Sequence, residues 1–419
     1  MMKKRAKRCA VLAAALALSL AAGGCGKGKQ TESVPESAAE PAVESTGMTV
    51  GISLPNDQSS IWVRDAASLT EQFQANGYAV ELLYSGDSAS QQASDIKKMV
   101  ADGCSLLIIA PVDRYSVGNA LETARADVQA AAEAAAAAAS ESGASSDAGT
   151  ETDTPVFPPV LSLGSLIMNT DAVNCALLED SYKIGQLQGE AALAGLSLNS
   201  EDGRKTGTVE FVAGDPEDPT SGLVFNGMFD TLQPYLEMDA LGVVSGQMTF
   251  TGASAAYGEA AQARLEEILS ANYSKVMKLG AILGGTDEEA AAAAAAVRSS
   301  YSGKNKVIIC GSGATEEALE RIIDGTQTMT VFTPVCSEAT AAVDIGISLM
   351  TEEVTDSYVI EHSSWRFKCR YNTSDYDNGK KIVPSFLIEP VAVTKDNYKS
   401  VLVDEGYYRM DGKYPKLIA

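Results

Sequence analysis

Short apolar runs alternate with stretches of helical period along most of this chain. Between the apolar runs 80–84 and 105–110, for example, Ile96, Met99 and Val100 fall on one helix face at the i, i+3, i+4 spacing. Predicted strands lie at 50–54, 80–84, 105–110, 156–163, 174–178, 207–212, 241–245, 279–283, 307–310 and 328–332, and later predicted helices at 182–196, 221–232, 259–269, 287–299, 316–323 and 338–350. Strands that alternate with helices form parallel sheets with right-handed crossovers, so the pattern predicts an α/β protein with two doubly wound lobes.

Polar residues follow several of the predicted strands. Asn56 and Asp57 come directly after the first strand, and Asp113 comes after the third. In open parallel sheets, ligands bind in the crevice outside the carboxyl ends of the strands. The sequence therefore predicts a ligand crevice at this edge of the first sheet.

An alanine-rich stretch interrupts this alternation. A helix is predicted from near Tyr115 through the tract 130–139, because alanine has the lowest cost of any residue in a helix. Residues 140–155 then read as a low-complexity loop. Residues 127–155 form an insertion at the far side of the sheet from the crevice, and we expect a surface protrusion without ligand contacts.

The amino terminus has the features of a targeting segment. Five basic residues precede an apolar stretch at 11–22 that is too short for a typical membrane span. Small residues directly before Cys25 resemble a bacterial lipobox, in which cleavage leaves the cysteine for lipid attachment. We therefore predict a lipoprotein signal peptide at 1–24, lipidation of Cys25 and a flexible tether at 25–46; the alternative is an ordinary secretory signal with an incidental cysteine.

Composition excludes several classes of function. The net charge is −23, and five of the 32 basic residues lie in the signal segment, so the rest of the chain is still more acidic. Such a surface repels nucleic acid and anionic lipid. The single histidine, His362, and the absence of GxSxG, HExxH and CxxC motifs argue against triad enzymes and zinc sites. We expect a protein that is not an enzyme and that uses no cofactor or metal.

Four segments carry a resemblance to a known family. The longest is 383–398, VPSFLIEPVAVTKDNY, and the others are 401–408, 245–248 (SGQM) and 214–218 (GDPED). They resemble the periplasmic sugar-binding proteins of ABC importers, especially the ChvE-like multiple-sugar-binding branch, and the resemblance runs from about residue 50 to 408. It implies a type I periplasmic binding protein fold, in which two lobes are joined by a three-segment hinge that closes on a ligand.

The same resemblance implies the domain organisation. The amino-terminal lobe is expected at 47–166 and 315–356, with the alanine-rich insertion inside it. The carboxy-terminal lobe and tail are expected at 167–314 and 357–408.

This chain lacks several of the residues with which the family binds sugars. A buried sugar hydroxyl needs a polar partner, and relatives supply Asp, Asn, Arg and aromatic rings at the strand ends. Here Ile61-Trp62 replaces Arg-Trp, and Gly164-Ser165 replaces Asp-Arg. The candidate ligand residues are Trp62, Asp180, Asp218 and Asp287 first, then Asn56, Asp57, Asp113, Asn226, Tyr257 and Thr286.

Several candidates have a purely structural interpretation. Asp113 and Asp287 stand at helix starts, where aspartate caps backbone amides. Trp62 could pack within its lobe, and Asn226 could face solvent.

Two functions fit the sequence. The first is a monomeric, lipid-anchored extracytoplasmic solute-binding protein that captures a small ligand, expected to be a sugar, and delivers it to an ABC permease in the membrane. The alternative is a divergent surface-tethered sensory or interaction protein that binds a non-sugar ligand or none, with the alanine-rich protrusion as its contact element.

Overall fold

The computed structural model describes residues 45–141, 156–198, 207–216, 218–255, 258–274, 276–334, 338–351 and 356–418. The predicted signal peptide, Cys25, nearly all of the tether and the low-complexity loop of the insertion lie outside these ranges. In chain order the elements are β1 (Thr49–Leu54), α1 (Ser60–Ala75), β2 (Ala79–Tyr84), α2 (Ala89–Ala101), β3 (Leu106–Ile109), α3 (Arg114–Glu141), β4 (Val160–Leu163), β5 (Cys175–Glu179), α4 (Ser181–Leu196), β6 (Gly207–Val212), α5 (Pro219–Glu237), β7 (Leu241–Gly242), α6 (Phe250–Ala253), α7 (Glu259–Asn272), β8 (Ala281–Gly284), α8 (Asp287–Ser300), β9 (Ile308–Cys310), α9 (Glu316–Asp324), β10 (Met329–Phe332), α10 (Glu338–Met350), α11 (Ser357–His362), β11 (Cys369–Asn372), β12 (Ser385–Ile388), β13 (Val391–Thr394), a π-helical turn (Lys399–Val403), β14 (Tyr408–Asp411) and β15 (Tyr414–Leu417).

The first lobe is built on a seven-stranded sheet of order β11-β12-β5-β4-β3-β1-β2, in which only β11 is antiparallel to its neighbour. Successive residues of a strand point to opposite faces, and both faces are covered here. In β3, Leu106 and Ile108 join the core with α1 and α10, whereas Leu107 and Ile109 join the core with α2 and α3. This double coverage explains why the strand reads as an unbroken apolar run.

The second lobe is built on a six-stranded sheet of order β13-β10-β9-β8-β6-β7, with β13 antiparallel at one edge. Helices α4 and α5 cover one face, and α7 and α8 cover the other. The β14–β15 hairpin and the π-helical turn contribute Leu402 and Tyr408 to a small core with α9. The prediction of two doubly wound parallel-sheet lobes is confirmed.

Glycines let α4 and α5 pack closely, which fixes where α5 begins. A Cβ atom on Gly185 would lie 1.9 Å from the carbonyl oxygen of Val224, and one on Gly227 would lie 2.1 Å from that of Tyr182. No other residue fits at either position without movement of the backbone. The close contact holds the second and third turns of α5 against the first turns of α4.

Three chain segments cross between the lobes: one between β5 and α4, one between β10 and α10, and one between β12 and β13. The three-segment hinge is therefore as expected, but its positions correct the predicted boundaries at 166, 314 and 356. Strand β5 pairs with β4 and β12 in the first sheet, and β10 pairs with β9 and β13 in the second. Residues 357–388 also belong to the first lobe, because β11 and β12 extend its sheet.

Helix α3 spans 28 residues and continues into the alanine tract, as predicted. Its early turns bury Val117, Leu121 and Ala124, whereas the described side chains after residue 128 are almost all exposed. The alanine-rich turns therefore form without core contacts. Among the described residues, no helix is both long enough and apolar enough to span a bilayer.

Candidate functional site between the lobes

A cavity of about 150 Å³ lies where the two lobes meet. The first lobe supplies the ends of β4 and β5, the start of α3 and the loop after β11, and the second lobe supplies the starts of α4 and α5. The lining residues are Arg114, Gly164, Ser165, Leu166, Met168, Leu178, Glu179, Ser181, Thr220, Leu223, Asp375, Tyr376 and Asp377. The cavity therefore sits at the carboxyl edge of the first sheet, where the sequence predicts a crevice.

An ion pair joins the lobes beside this cavity. Arg114, the first residue of α3, donates from Nη2 to Oδ1 of Asp218 at 2.9 Å. Asp218 is the N-cap of α5, and its carboxylate also accepts from the backbone N–H groups of Thr220 and Ser221. Although burial raises the pKa of Asp218, Arg114 and the Thr220 amide outweigh that effect and hold it below its usual value.

Trp62 lies beside the end of β4, on the side opposite to the Arg114–Asp218 pair. Its ring atom Cη2 lies 3.8 Å from the point that a Cβ on Gly164 would occupy, and the half-buried indole packs on the core of the first lobe. Gly164 has φ +72°, a left-handed conformation that favours glycine. The small Gly164-Ser165 pair thus leaves open the space between the indole and the cavity.

Glu179 lies at the last position of β5, next to the first crossing. Burial raises the pKa of Glu179, the neighbouring hydroxyl of Thr333 at the second crossing lowers it, and the charge of Asp218 raises it. Glu179 therefore lies between two crossings and lines the cavity.

Tyr376 lines the cavity with an unpaired hydroxyl. The side chain is 7% exposed, and its hydroxyl has no hydrogen-bond partner among the described residues. Burial raises the pKa of Tyr376, as does the negative charge of Asp180. Because Tyr376 lines the cavity, its hydroxyl is available to a ligand.

A second group of buried carboxyls lies behind Glu179. Asp65 on α1 faces Glu338 at the start of α10, and Nη2 of Arg64 lies 3.6 Å from Oδ1 of Asp65. Burial raises the pKa of Asp65 to about 6. Burial and the nearby charges of Asp65 and Glu179 raise the pKa of Glu338 well above its usual value. Two acidic side chains, Asp65 and Glu338, therefore lie behind Glu179 with one basic side chain, Arg64.

Two of the first-ranked sequence candidates, Asp180 and Asp287, form hydrogen bonds and ion pairs with other residues of the protein. Asp180 caps α4 by accepting from the N–H of Lys183, and it pairs with Arg370 at 2.7 Å. Asp287 is 3% exposed. Its oxygens accept from Gln327 Nε2 at 2.8 Å, from the hydroxyl of Thr330 at 2.9 Å and from the Thr315 backbone at 3.0 Å. These bonds brace the second lobe and use both oxygens of Asp287.

Helix caps and turns account for most of the others. Thr286 caps α8 together with Glu289, and Asp113 accepts from the N–H of Ser116 at 2.6 Å. Asn56 accepts from the N–H groups of Gln58 and Ser59 in the turn after β1. The remaining candidates are Asp57, which is exposed and accepts from Gln58; Asn226, which is exposed on α5; and Tyr257, which lies outside the described residues.

Of the candidates, Trp62 and Asp218 lie beside the cavity, and sequence reasoning missed Arg114, Glu179 and Tyr376. Arg114 and Glu179 each adjoin a candidate in the chain, so the strand-end signal pointed to the right segments and the wrong neighbours. Tyr376 follows no parallel strand, and nothing in its local sequence marks it. Within the described part of the chain, no group of His, Cys, Asp or Glu is arranged to hold a metal ion.

Comparisons with known proteins agree with this architecture. Residues 158–353 match the family model for the periplasmic binding protein domain. The chain is 31% identical to the multiple sugar-binding periplasmic receptor ChvE of Rhizobium radiobacter over 88% of its length and 94% of that protein's, and 28% identical to SbpA of Azospirillum brasilense over 86% and 89%. It also resembles the crystal structure of an ABC transporter solute-binding protein from Clostridium phytofermentans with bound β-D-glucose, at 29% identity, a TM-score of 0.63 and coverage of 87% and 99%. Each of these similarities extends over both lobes.

Proposed function

Because the chain belongs to the periplasmic binding protein family that includes ChvE and SbpA, we propose that it captures a monosaccharide between its lobes and delivers it to an ABC permease. The proposal rests first on the cavity of about 150 Å³ that residues of both lobes line. Pockets for drug-sized ligands span roughly 300–1,000 Å³, so this space suits one sugar ring and excludes an oligosaccharide.

The lining groups match the chemistry of a sugar. Thr220, Tyr376 and Glu179 offer hydrogen-bonding groups from both lobes and from the hinge, and Arg114 and Asp218 provide charged partners, which form the stronger bonds. Trp62 offers an aromatic face beside Gly164 for the apolar side of a sugar ring.

Capture works through differential affinity for two states. A ligand that contacts Glu179 or Tyr376 in the first lobe and Thr220 in the second binds the closed arrangement more tightly than the open one. It therefore shifts the equilibrium toward closure, to the extent of that difference. The closed form is then the one that a permease distinguishes from the empty receptor.

Calorimetric titration with a panel of neutral hexoses and pentoses tests the proposal. We expect saturable binding of at least one monosaccharide, a higher melting temperature in its presence and a smaller radius of gyration in X-ray scattering. Asn226→Ala, an exposed change on α5, serves as a control for general effects of mutation. A protein that gives no heat and no thermal shift with any sugar would contradict sugar capture and favour the sensory alternative.

We also propose that lipid at Cys25 holds the receptor on the extracytoplasmic face of the membrane. The lipobox-like segment before Cys25 supports this. In the native host, the wild-type protein is expected in the membrane fraction and to incorporate labelled fatty acid, and Cys25→Ser is expected to lose both properties. Photo-crosslinkers placed around the cleft rim are expected to trap a permease subunit only when sugar is present.

A further inference from the structure

Acidic groups outnumber basic ones around the cavity. Glu179, Asp375 and Asp377 line it, whereas Arg114 is its one basic lining residue, and the charge of Arg114 is balanced by Asp218. Asp65 and Glu338 lie behind Glu179 with Arg64 as their nearest cation. A neutral sugar can donate its hydroxyls to these carboxylates, but it carries no positive charge to offset their surplus of negative charge.

Glu179 differs from the neighbouring carboxylates in its partners. Asp218 is paired with Arg114, Asp180 is paired with Arg370, and Asp375 accepts from Asn372 and Ser374. Glu179 has no ion pair with any described residue, and its named polar neighbour is the neutral hydroxyl of Thr333. A withdrawn carboxylate without a counter-charge is costly, and that cost falls when a cationic group arrives.

The hydroxyl of Tyr376 provides an independent observation at the same cavity. The Tyr376 residue is 7% exposed and lines the space, and its hydroxyl has no partner among the described residues. It lies close enough to Glu179 for the two groups to interact electrostatically. One ligand with a cation next to a hydroxyl would satisfy both side chains at once.

We propose that the cavity is selective for an amino sugar, with the ligand ammonium paired to the Glu179 carboxylate and an adjacent ligand hydroxyl bonded to Tyr376. This inference rests on the proposed function and names its substrate class.

Titration of matched sugars tests the inference. D-glucosamine and D-galactosamine are compared with D-glucose and D-galactose and with their N-acetyl derivatives, at a pH where the free amines are protonated. At least one free amino sugar is expected to bind about tenfold or more tightly than both its parent and its N-acetyl form, as charge-assisted bonds do.

Glu179→Gln is the matched variant, because the amide keeps the size of the side chain and can still accept from Thr333. It is expected to lower the affinity for the amino sugar about tenfold, to within about threefold of the parent sugar, and so to abolish the preference for the amino sugar. Glu190→Gln makes the same substitution on the exposed side of α4 and should change neither property.

The outcomes separate the two proposals. If parent sugars bind and amino sugars bind no more tightly, or if Glu179→Gln keeps the preference, the inference is overturned and sugar capture stands. If no saccharide binds, both fall. Should Glu179→Gln fail to fold, the wild-type comparison of the free amine with the parent sugar and with the N-acetyl form still decides the question.

Discussion

Asp65 shows what burial does to a single carboxyl group. It is 1% exposed, it faces Glu338, and its pKa rises to about 6. A folded-state pKa above the unfolded value means that the folded protein binds a proton more tightly. The contribution of this pair to stability is therefore greatest at low pH, and it is lost as the pH rises toward the folded value.

We predict that Asp65→Asn removes this pH dependence. Relative to wild type, the variant should gain unfolding free energy as the pH rises from about 4 to about 6, by on the order of 2 kcal/mol. Thermal or urea unfolding of both proteins across that pH range measures the difference. Asp57→Asn, an exposed carboxyl on the same lobe, is the control, and a constant difference at every pH would contradict the prediction.

We predict that substitutions of Trp62 change the affinity for the ligand. Trp62→Phe should keep a ring against the sugar, whereas Trp62→Ala removes it and should lose about 1–2 kcal/mol of binding. Both variants also touch the core, so melting temperatures without ligand are measured beside the affinities. Equal sugar affinity in the two variants would exclude stacking on this ring.

At the level of elements, the α4–α5 contact depends on the absence of side chains. We predict that Gly185→Ala lowers the unfolding free energy by about 1–3 kcal/mol, because its methyl group would meet the Val224 carbonyl at 1.9 Å. Gly222→Ala is the matched control on α5, where the nearest atom lies 3.5 Å away in the Phe250 ring. That change should be neutral or mildly stabilising, since alanine is the better helix former. Chemical denaturation compares the two, and similar losses in both would refute the packing argument.

Helix α3 supports a prediction about its alanine-rich end. Its buried residues lie before residue 125, so deletion of 130–154 should leave sugar affinity within about twofold of wild type. Titration of the shortened protein measures this. A large loss of affinity would mean that the protrusion contributes to the site, and loss of a partner protein with affinity intact would favour an interaction role.

Elements were predicted well where they are buried on both faces. The first ten strands were all located, because runs such as Leu106–Ile109 are apolar throughout. None of the strands β11 to β15 was predicted. Strands β11 and β13 are antiparallel edge strands with mixed exposure, and their sequences lack that continuous run. Strand β12 is the exception to the rule, because it is buried throughout and was still missed. The lobe boundaries were misplaced for a related reason: which sheet β5 or β10 joins depends on partners distant in the chain, such as Ser385 beside Ala176.

The candidate site was predicted less well, for a reason visible in Asp180 and Asp287. Both follow strands, as ligand residues do, yet one caps a helix and the other is turned into its own lobe. Sequence position reveals that a polar residue stands at a strand end and does not reveal which way it points. Glu179, next to Asp180, and Arg114, next to the capping residue Asp113, line the cavity instead.

At the scale of the whole molecule, the Arg114–Asp218 pair is a contact that favours closure without ligand. We predict that Arg114→Gln shifts the empty protein toward the open state by about 1 kcal/mol, roughly fivefold in the equilibrium. Single-molecule energy transfer between dyes on the two lobes measures the populations. High salt should produce part of the same shift in wild type and little in the variant, and salt responses of equal size would contradict the role of the pair.

The three crossings determine when each lobe can finish folding during synthesis. Strand β12 fills a place beside β5 within the first sheet, and β13 pairs with β10 to complete the second. Neither half can finish its sheet until the ribosome has added residues 385–394, so both halves mature together, near the end of translation. A nascent chain that cannot complete its folding until this stage is suited to export in an unfolded state. A truncation before residue 385 would leave both lobes with incomplete sheets.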